Sequence, residues 1–116
     1  MKILIVDDSL TSRLFLANIL EENGHTIHQS VDGKDVLEKI QSIHPDLVIL
    51  DLLMPDVDGF EVLKILKSEN IDVPIFVLSA DIQDDVRKEC IELGAKKFLT
   101  KPYVAEDLLA AIERLK

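Results

Sequence analysis

Apolar residues fall along this chain in two alternating rhythms. Three runs are continuously apolar: 3–6 (Ile3, Leu4, Ile5, Val6), 47–50 (Leu47, Val48, Ile49, Leu50) and 75–78 (Ile75, Phe76, Val77, Leu78). Runs of this length without polar alternation predict central strands covered on both faces. The segments 25–30 (H-T-I-H-Q-S) and 95–100 (A-K-K-F-L-T) mix apolar with polar and charged residues, as edge strands do. Between these runs the apolar residues recur at helical spacing: Val36, Leu37, Ile40 and Ile43; Phe60, Leu63 and Leu66; Val86, Cys90 and Leu93; Leu108, Leu109, Ile112 and Leu115. The first helix-length segment carries Leu10, Leu14, Phe15, Leu16, Ala17, Ile19 and Leu20, too wide an apolar arc to bury against one sheet face.

The turn residues agree with this division. Gly24 and Gly94 each follow a helical stretch, where a left-handed C-terminal cap is wanted. Gly33 and Gly59 stand in Asp-Gly turns just before helices, and Pro45, Pro55, Pro74 and Pro102 fall at strand entries or exits. The order is βαβαβαβαβα. Strict alternation with apolar central strands implies an α/β fold, a doubly wound five-stranded parallel sheet with helices on both faces. Binding sites in such sheets lie outside the C-terminal ends of the strands, near the switch point.

Composition narrows the function. The 116 residues suit one compact domain over 1–116, and a hydrophobic fraction of 47% supports a core without disulfides or a structural metal. The formal net charge of −9 argues against direct nucleic-acid binding, which needs a basic face, and fits a chain that meets cations or basic partner surfaces. No apolar run approaches a membrane span, the start of the chain lacks signal-peptide order, and Cys90 has no partner for a disulfide. The expectation is a soluble cytoplasmic protein, with no second domain after the last helix, acting as a monomer or weak dimer.

The residues that close the strands carry the chemistry. The first strand ends in Asp7 and Asp8, the third in Asp51, the fourth in Ser79 and the fifth in Lys101. All would meet at one rim of the sheet. Carboxylates about 4 Å apart repel by about 4 kcal/mol per pair at an effective dielectric near 20. A hard divalent cation relieves this repulsion, and oxygen donors without His or Cys favour Mg²⁺ over Zn²⁺. One carboxylate can then attack an electrophilic phosphorus to form an acyl phosphate, helped by a metal, a lysine and a hydroxyl donor. Asp51 stands alone and suits the nucleophile; the adjacent pair suits the metal clamp.

Four stretches, I-V-D-D, L-D-L-L-M-P-D-V-D-G-F, L-S-A and F-L-T-K-P, occur in this order at strand ends. With them the chain resembles a two-component response regulator receiver domain over its whole length, of the chemotaxis-regulator or phosphorelay kind. The resemblance implies a flavodoxin-like (βα)5 receiver fold with strand order 2-1-3-4-5. It implies that Asp51 accepts a phosphoryl group from a phosphohistidine on a sensor histidine kinase or histidine phosphotransfer protein. Asp8 and Asp51 would bind Mg²⁺ directly and Asp7 through water, and the backbone carbonyl of Leu53 would complete the protein's share. Lys101 would pair with the phosphoryl oxygens, and Pro102 would follow a cis bond. Ser79 would hydrogen-bond the phosphoryl group while Phe98 swings inward, remodelling the surface of the last two helices and last strand that downstream target proteins read. Such a chain is a switch that catalyses only its own phosphorylation and dephosphorylation, not an enzyme acting on metabolites. Leu14, with part of Phe15, would stay exposed beside the acidic rim as an apolar anchor for the donor. Leu53 and Asp81 occupy positions at which the family tunes hydrolysis, in directions that could oppose.

Plainer readings stand beside these. The acidic pair and Ser9 could simply cap the first helix, Ser79 could cap the fourth, Lys101 could be a solvated edge charge and Phe98 mere packing. Cys90 reads as an inert core thiol, and His25, His28 and His44 lack ligand spacing. Two rival functions are weaker. A phosphohydrolase of the haloacid dehalogenase type places its second Asp two residues after the first, whereas here the pair is adjacent. A flavin or dinucleotide carrier needs a phosphate-cradling loop after the first strand, where this chain has carboxylates.

Overall fold

The computed structural model describes residues 1–31, 33–52, 59–80 and 83–116. The apolar and mixed runs form strands β1 (Lys2–Val6), β2 (Thr26–Ser30), β3 (Leu47–Asp51), β4 (Ile75–Ser79) and β5 (Lys97–Thr100). Helices α1 (Leu10–Glu22), α2 (Val36–Ile43), α3 (Gly59–Ser68), α4 (Asp84–Glu92) and α5 (Ala105–Glu113) alternate with them. All pairings are parallel, and the order across the sheet is β2-β1-β3-β4-β5. The mixed runs take the two edges and the continuously apolar runs the centre, as their patterns require.

Alternation along the strands divides the interior into two cores. Leu4, Val6, Val48, Leu50, Ile75 and Val77 face α2, α3 and α4, where they meet Val36, Leu63 and Cys90. Ile3, Ile5, Leu47, Ile49, Phe76 and Leu78 face α1 and α5, where they meet Leu16, Leu20, Leu108 and Ile112. Because successive side chains point to opposite faces, this parity also assigns the residues at the strand ends. Asp51 shares the parity of Leu47 and Ile49, on the α1 and α5 face. Ser79 shares that of Ile75 and Val77, on the other.

Helix ends follow local chemistry. Ser9 caps α1, its side chain accepting from the Ser12 N–H at 3.3 Å. Gly24 and Gly94 take φ of +87° and +105°, as their place after α1 and α4 suggests. His44 closes α2 in the left-handed region at φ +54°, which histidine enters more readily than most side chains. Cys90 is fully buried, and burial pushes its thiol pKa up to about 11, consistent with an inert core residue. His25 precedes β2 and is buried, its Nδ1 3.3 Å from the Met1 ammonium.

Gly59, the first residue of α3, donates its N–H to the Leu52 carbonyl at 2.7 Å. A Cβ there would lie 2.7 Å from Leu52 Cα and 2.9 Å from its carbonyl oxygen. Backbone must therefore move if the glycine is replaced. Gly59→Ala is expected to lose about 1–3 kcal/mol of stability, read as a lower urea midpoint at unchanged m.

A second outcome concerns pH. Burial first, then the neighbouring ammonium, lowers the His25 pKa below its ordinary 6.5. The unfolded chain then takes up the proton first, so the His25 contribution is complete above 6.5 and is lost as pH falls below it. Melting temperatures measured across that range should fall less steeply for His25→Gln than for the native chain.

Candidate functional site

Strand register builds the site as a staircase. Val6 pairs with Leu50, so Asp7 and Asp51 are each the next residue along neighbouring strands. Asp51 pairs with Leu78, which sets Ser79 one step further; Ser79 pairs with Thr100, which sets Lys101 one step further again. A flexible lysine can bridge those steps. Lys101 Nζ lies 3.5 Å from Asp51 Oδ2 and 3.7 Å from Asp7 Oδ2.

Carboxylate oxygens of Asp7, Asp8 and Asp51 all lie within 4.8 Å of one another. Asp7 is buried, Asp51 half-buried and Asp8 exposed. Asp7 is held at every polar atom: its N–H donates to the Ser30 carbonyl at 3.1 Å, and Oδ1 accepts from the Ser9 N–H at 2.8 Å. Its carbonyl accepts from Arg13 Nη1 at 2.7 Å, and Oδ2 faces Lys101. Three negative charges thus face the single positive charge of Lys101. The donors are all hard oxygens, with no sulfur or imidazole among them. That set fits a hard divalent cation such as Mg²⁺.

The structure therefore brings together four of the residues picked from sequence: Asp7, Asp8, Asp51 and Lys101. Ser79 lies at the end of β4, 1% exposed, on the opposite parity. Phe98 is half-buried against the core beneath α2, α3 and α4. The Lys101–Pro102 bond is cis. Leu53 and Asp81 lie outside the described residues, as do the M-P-D-V-D positions before Gly59. On α1, Leu14 is 48% exposed and Phe15 60%. Phe15 is thus the more exposed of the two, and Leu10 joins them, because Leu16, Ala17 and Leu20 take the face toward the sheet.

A family model for the response regulator receiver domain matches residues 3–113. The chain belongs to the response regulator receiver domains. Response regulator MprA of Mycolicibacterium vanbaalenii is 40% identical over 114 residues, which cover 98% of this chain and 49% of that protein. The chain spans about half the length of the curated relatives it matches. Among solved structures, the receiver domain of the Francisella response regulator 1452 superposes with a TM-score of 0.93 at 33% identity, covering 98% of this chain and 94% of that one. The Vibrio cholerae chemotaxis protein CheY4 gives 0.90 at 31% identity, over 99% and 98%. The BeF3-activated N-terminal receiver domain of Klebsiella pneumoniae RstA gives 0.94 at 26% identity, over 100% and 99%. The chain is thus a receiver domain of two-component signalling, and the strand order implied by its motifs is the observed one. No helix among the described residues is long and apolar enough to cross a membrane.

Two residues of this receiver's site escape sequence reading. Arg13 is buried, although an arginine on an amphipathic helix ordinarily reads as solvated. Tyr103, half-buried, lines a cavity of about 360 Å³ with Asp7, Thr11, Phe15 and Lys101. Burial and then the charge of Asp7 raise its phenol pKa above 10. Only the aromatic directly after K-P hinted at it.

Charge balance at the site sets an expectation for the metal-free receiver. Asp8→Asn removes one repelling charge and no ion pair seen among the described residues, so in EDTA it should melt higher than the native chain. Lys101→Ala leaves Asp7 and Asp51 facing each other and should melt lower under the same conditions.

Proposed function

We propose that this receiver takes a phosphoryl group onto Asp51 from a phosphohistidine of a sensor histidine kinase or histidine phosphotransfer protein, in a Mg²⁺-dependent reaction. The observation that carries this reading is the placement of Asp51, half-buried, in one cluster with Asp7 and Asp8 and with Lys101 Nζ at 3.5 Å. Asp7, Asp8 and Asp51 would hold the cation, joined by the Leu53 carbonyl that the family resemblance adds. When bound, the cation supplies positive charge against the carboxylates and the phosphoryl oxygens.

The chain's own groups then have separate tasks. An Asp51 carboxylate oxygen attacks phosphorus in line; the O–P bond forms as the donor's P–N bond breaks, and the electron pair leaves on the freed nitrogen of an imidazole that is neutral through the proton on its other nitrogen or takes one up from solvent. Asp7 and Asp8 are not modified. Lys101 moves its attention from two carboxylates to the new phosphoryl oxygens, as a flexible point charge can. Ser79 donates its hydroxyl to the phosphoryl group, and Phe98 moves inward with it. The switch therefore catalyses its own phosphorylation and dephosphorylation and acts on no metabolite.

Two exposed surfaces support the two partnerships. Leu10, Leu14 and Phe15 lie on α1 beside the acidic rim, a suitable anchor for an apolar face of the donor. Ile91 on α4 and Val104, which precedes α5, are exposed on the last two helices, the surface that the family resemblance assigns to downstream target proteins. A cytoplasmic setting accords with a donor of this kind.

Incubation with Mg²⁺ and acetyl phosphate should add one phosphoryl group by mass, removable by hydroxylamine as an acyl phosphate is. Asp51→Asn should abolish the adduct, and EDTA should suppress it. Beryllofluoride should raise the melting temperature of the native chain and leave Asp51→Asn unmoved. An adduct that survives the substitution overturns Asp51 as acceptor.

A further inference from the structure

Arg13 is 7% exposed, yet no carboxylate among the described residues forms an ion pair with it. Both of its acceptors are neutral: the Asp7 carbonyl at 2.7 Å from Nη1 and Gln29 Oε1 at 3.2 Å from Nε. Burying a guanidinium against two neutral acceptors carries a desolvation cost that no ion pair among the described residues offsets. Its target is telling. The Asp7 carbonyl belongs to the rigid peptide plane that joins Asp7 to Asp8. Gripping that carbonyl restrains ψ of Asp7 and φ of Asp8, and so the direction in which the Asp8 Cα–Cβ bond leaves the backbone.

The preceding plane is already held, because the Asp7 N–H donates to the Ser30 carbonyl. Gln29, one residue before, anchors the other side of the guanidinium fork on β2. Asp8 is exposed and has no hydrogen bond or ion pair of its own among the described residues. The position from which its side chain reaches toward Asp51 therefore depends on the plane that Arg13 grips. We infer that Arg13 is a positioning residue for the cation site, placing Asp8 to meet Asp7 and Asp51 before the ion arrives. This rests on the reading that the cluster binds Mg²⁺.

The sign of one measurement separates positioning from charge. Arg13 is a cation beside a cation site, so its charge alone disfavours Mg²⁺, and neutralising it would tighten binding. Loss of positioning weakens binding instead. Isothermal titration with MgCl₂ should show Arg13→Gln weaker than the native chain by about tenfold, the lower end for groups that orient metal ligands. Arg13→Met, which fills the same buried volume without a donor, should behave alike and keeps the test open if Arg13→Gln does not fold. Arg13→Lys retains one donor for the Asp7 carbonyl and should recover most of the affinity. Far-UV circular dichroism and melting in EDTA identify the folded variants. Unchanged or tighter Mg²⁺ binding in a folded, donorless variant overturns the role of Arg13 alone. A native chain that binds no Mg²⁺ overturns the cation reading and this inference with it.

Discussion

Mutual repulsion of three carboxylates at the ends of β1 and β3 is the constraint around which this receiver is arranged. Left to itself, a chain would turn Asp7, Asp8 and Asp51 away from one another. Parallel pairing of β1 with β3 forbids this, since Val6 and Leu50 in register make Asp7 and Asp51 neighbours. The apolar strands behind them are fully buried, and their packing far outweighs the local repulsion. The sheet thus holds charges in a geometry that favours an incoming cation, and Lys101 offsets only part of it.

The same register explains how side chains scattered along the chain meet at one rim of the sheet. Asp7, Asp51 and Lys101 converge on the α1 and α5 face, where Lys101 meets both aspartates. Ser79 and Phe98 take the opposite parity, toward the core under α2, α3 and α4. A phosphoryl group on Asp51 would lie between these two sets. In the proposed mechanism that position links chemistry on one face to rearrangement on the other, without a separate relay.

Much of this was legible in the sequence for a physical reason. Continuous apolar runs can bury only as central strands, and strand polarity places their last residues at one rim. Ile3–Val6, Leu47–Leu50 and Ile75–Leu78 therefore predicted the centre of the sheet and the meeting of Asp7, Asp8 and Asp51, and the mixed run 95–100 brought Lys101 to the same rim. The mixed composition of Thr26–Ser30 and Lys97–Thr100 likewise announced the edges.

Sequence pattern by itself thus determined the α/β alternation, the central and edge strands and the identity of the acidic and basic groups at the rim, because burial and strand direction are properties of local residue order. Tertiary structure alone decided which groups are gripped and by what. Arg13 has the spacing of a solvated helix residue, and only the approach of α1 to the ends of β1 and β2 brings it to the Asp7 carbonyl and Gln29. Phe15 proved more exposed than Leu14 because the docking angle of α1, set by Leu16, Ala17 and Leu20, turns it outward. Each outcome depends on contacts between segments distant in the chain, and a one-dimensional pattern carries no record of those.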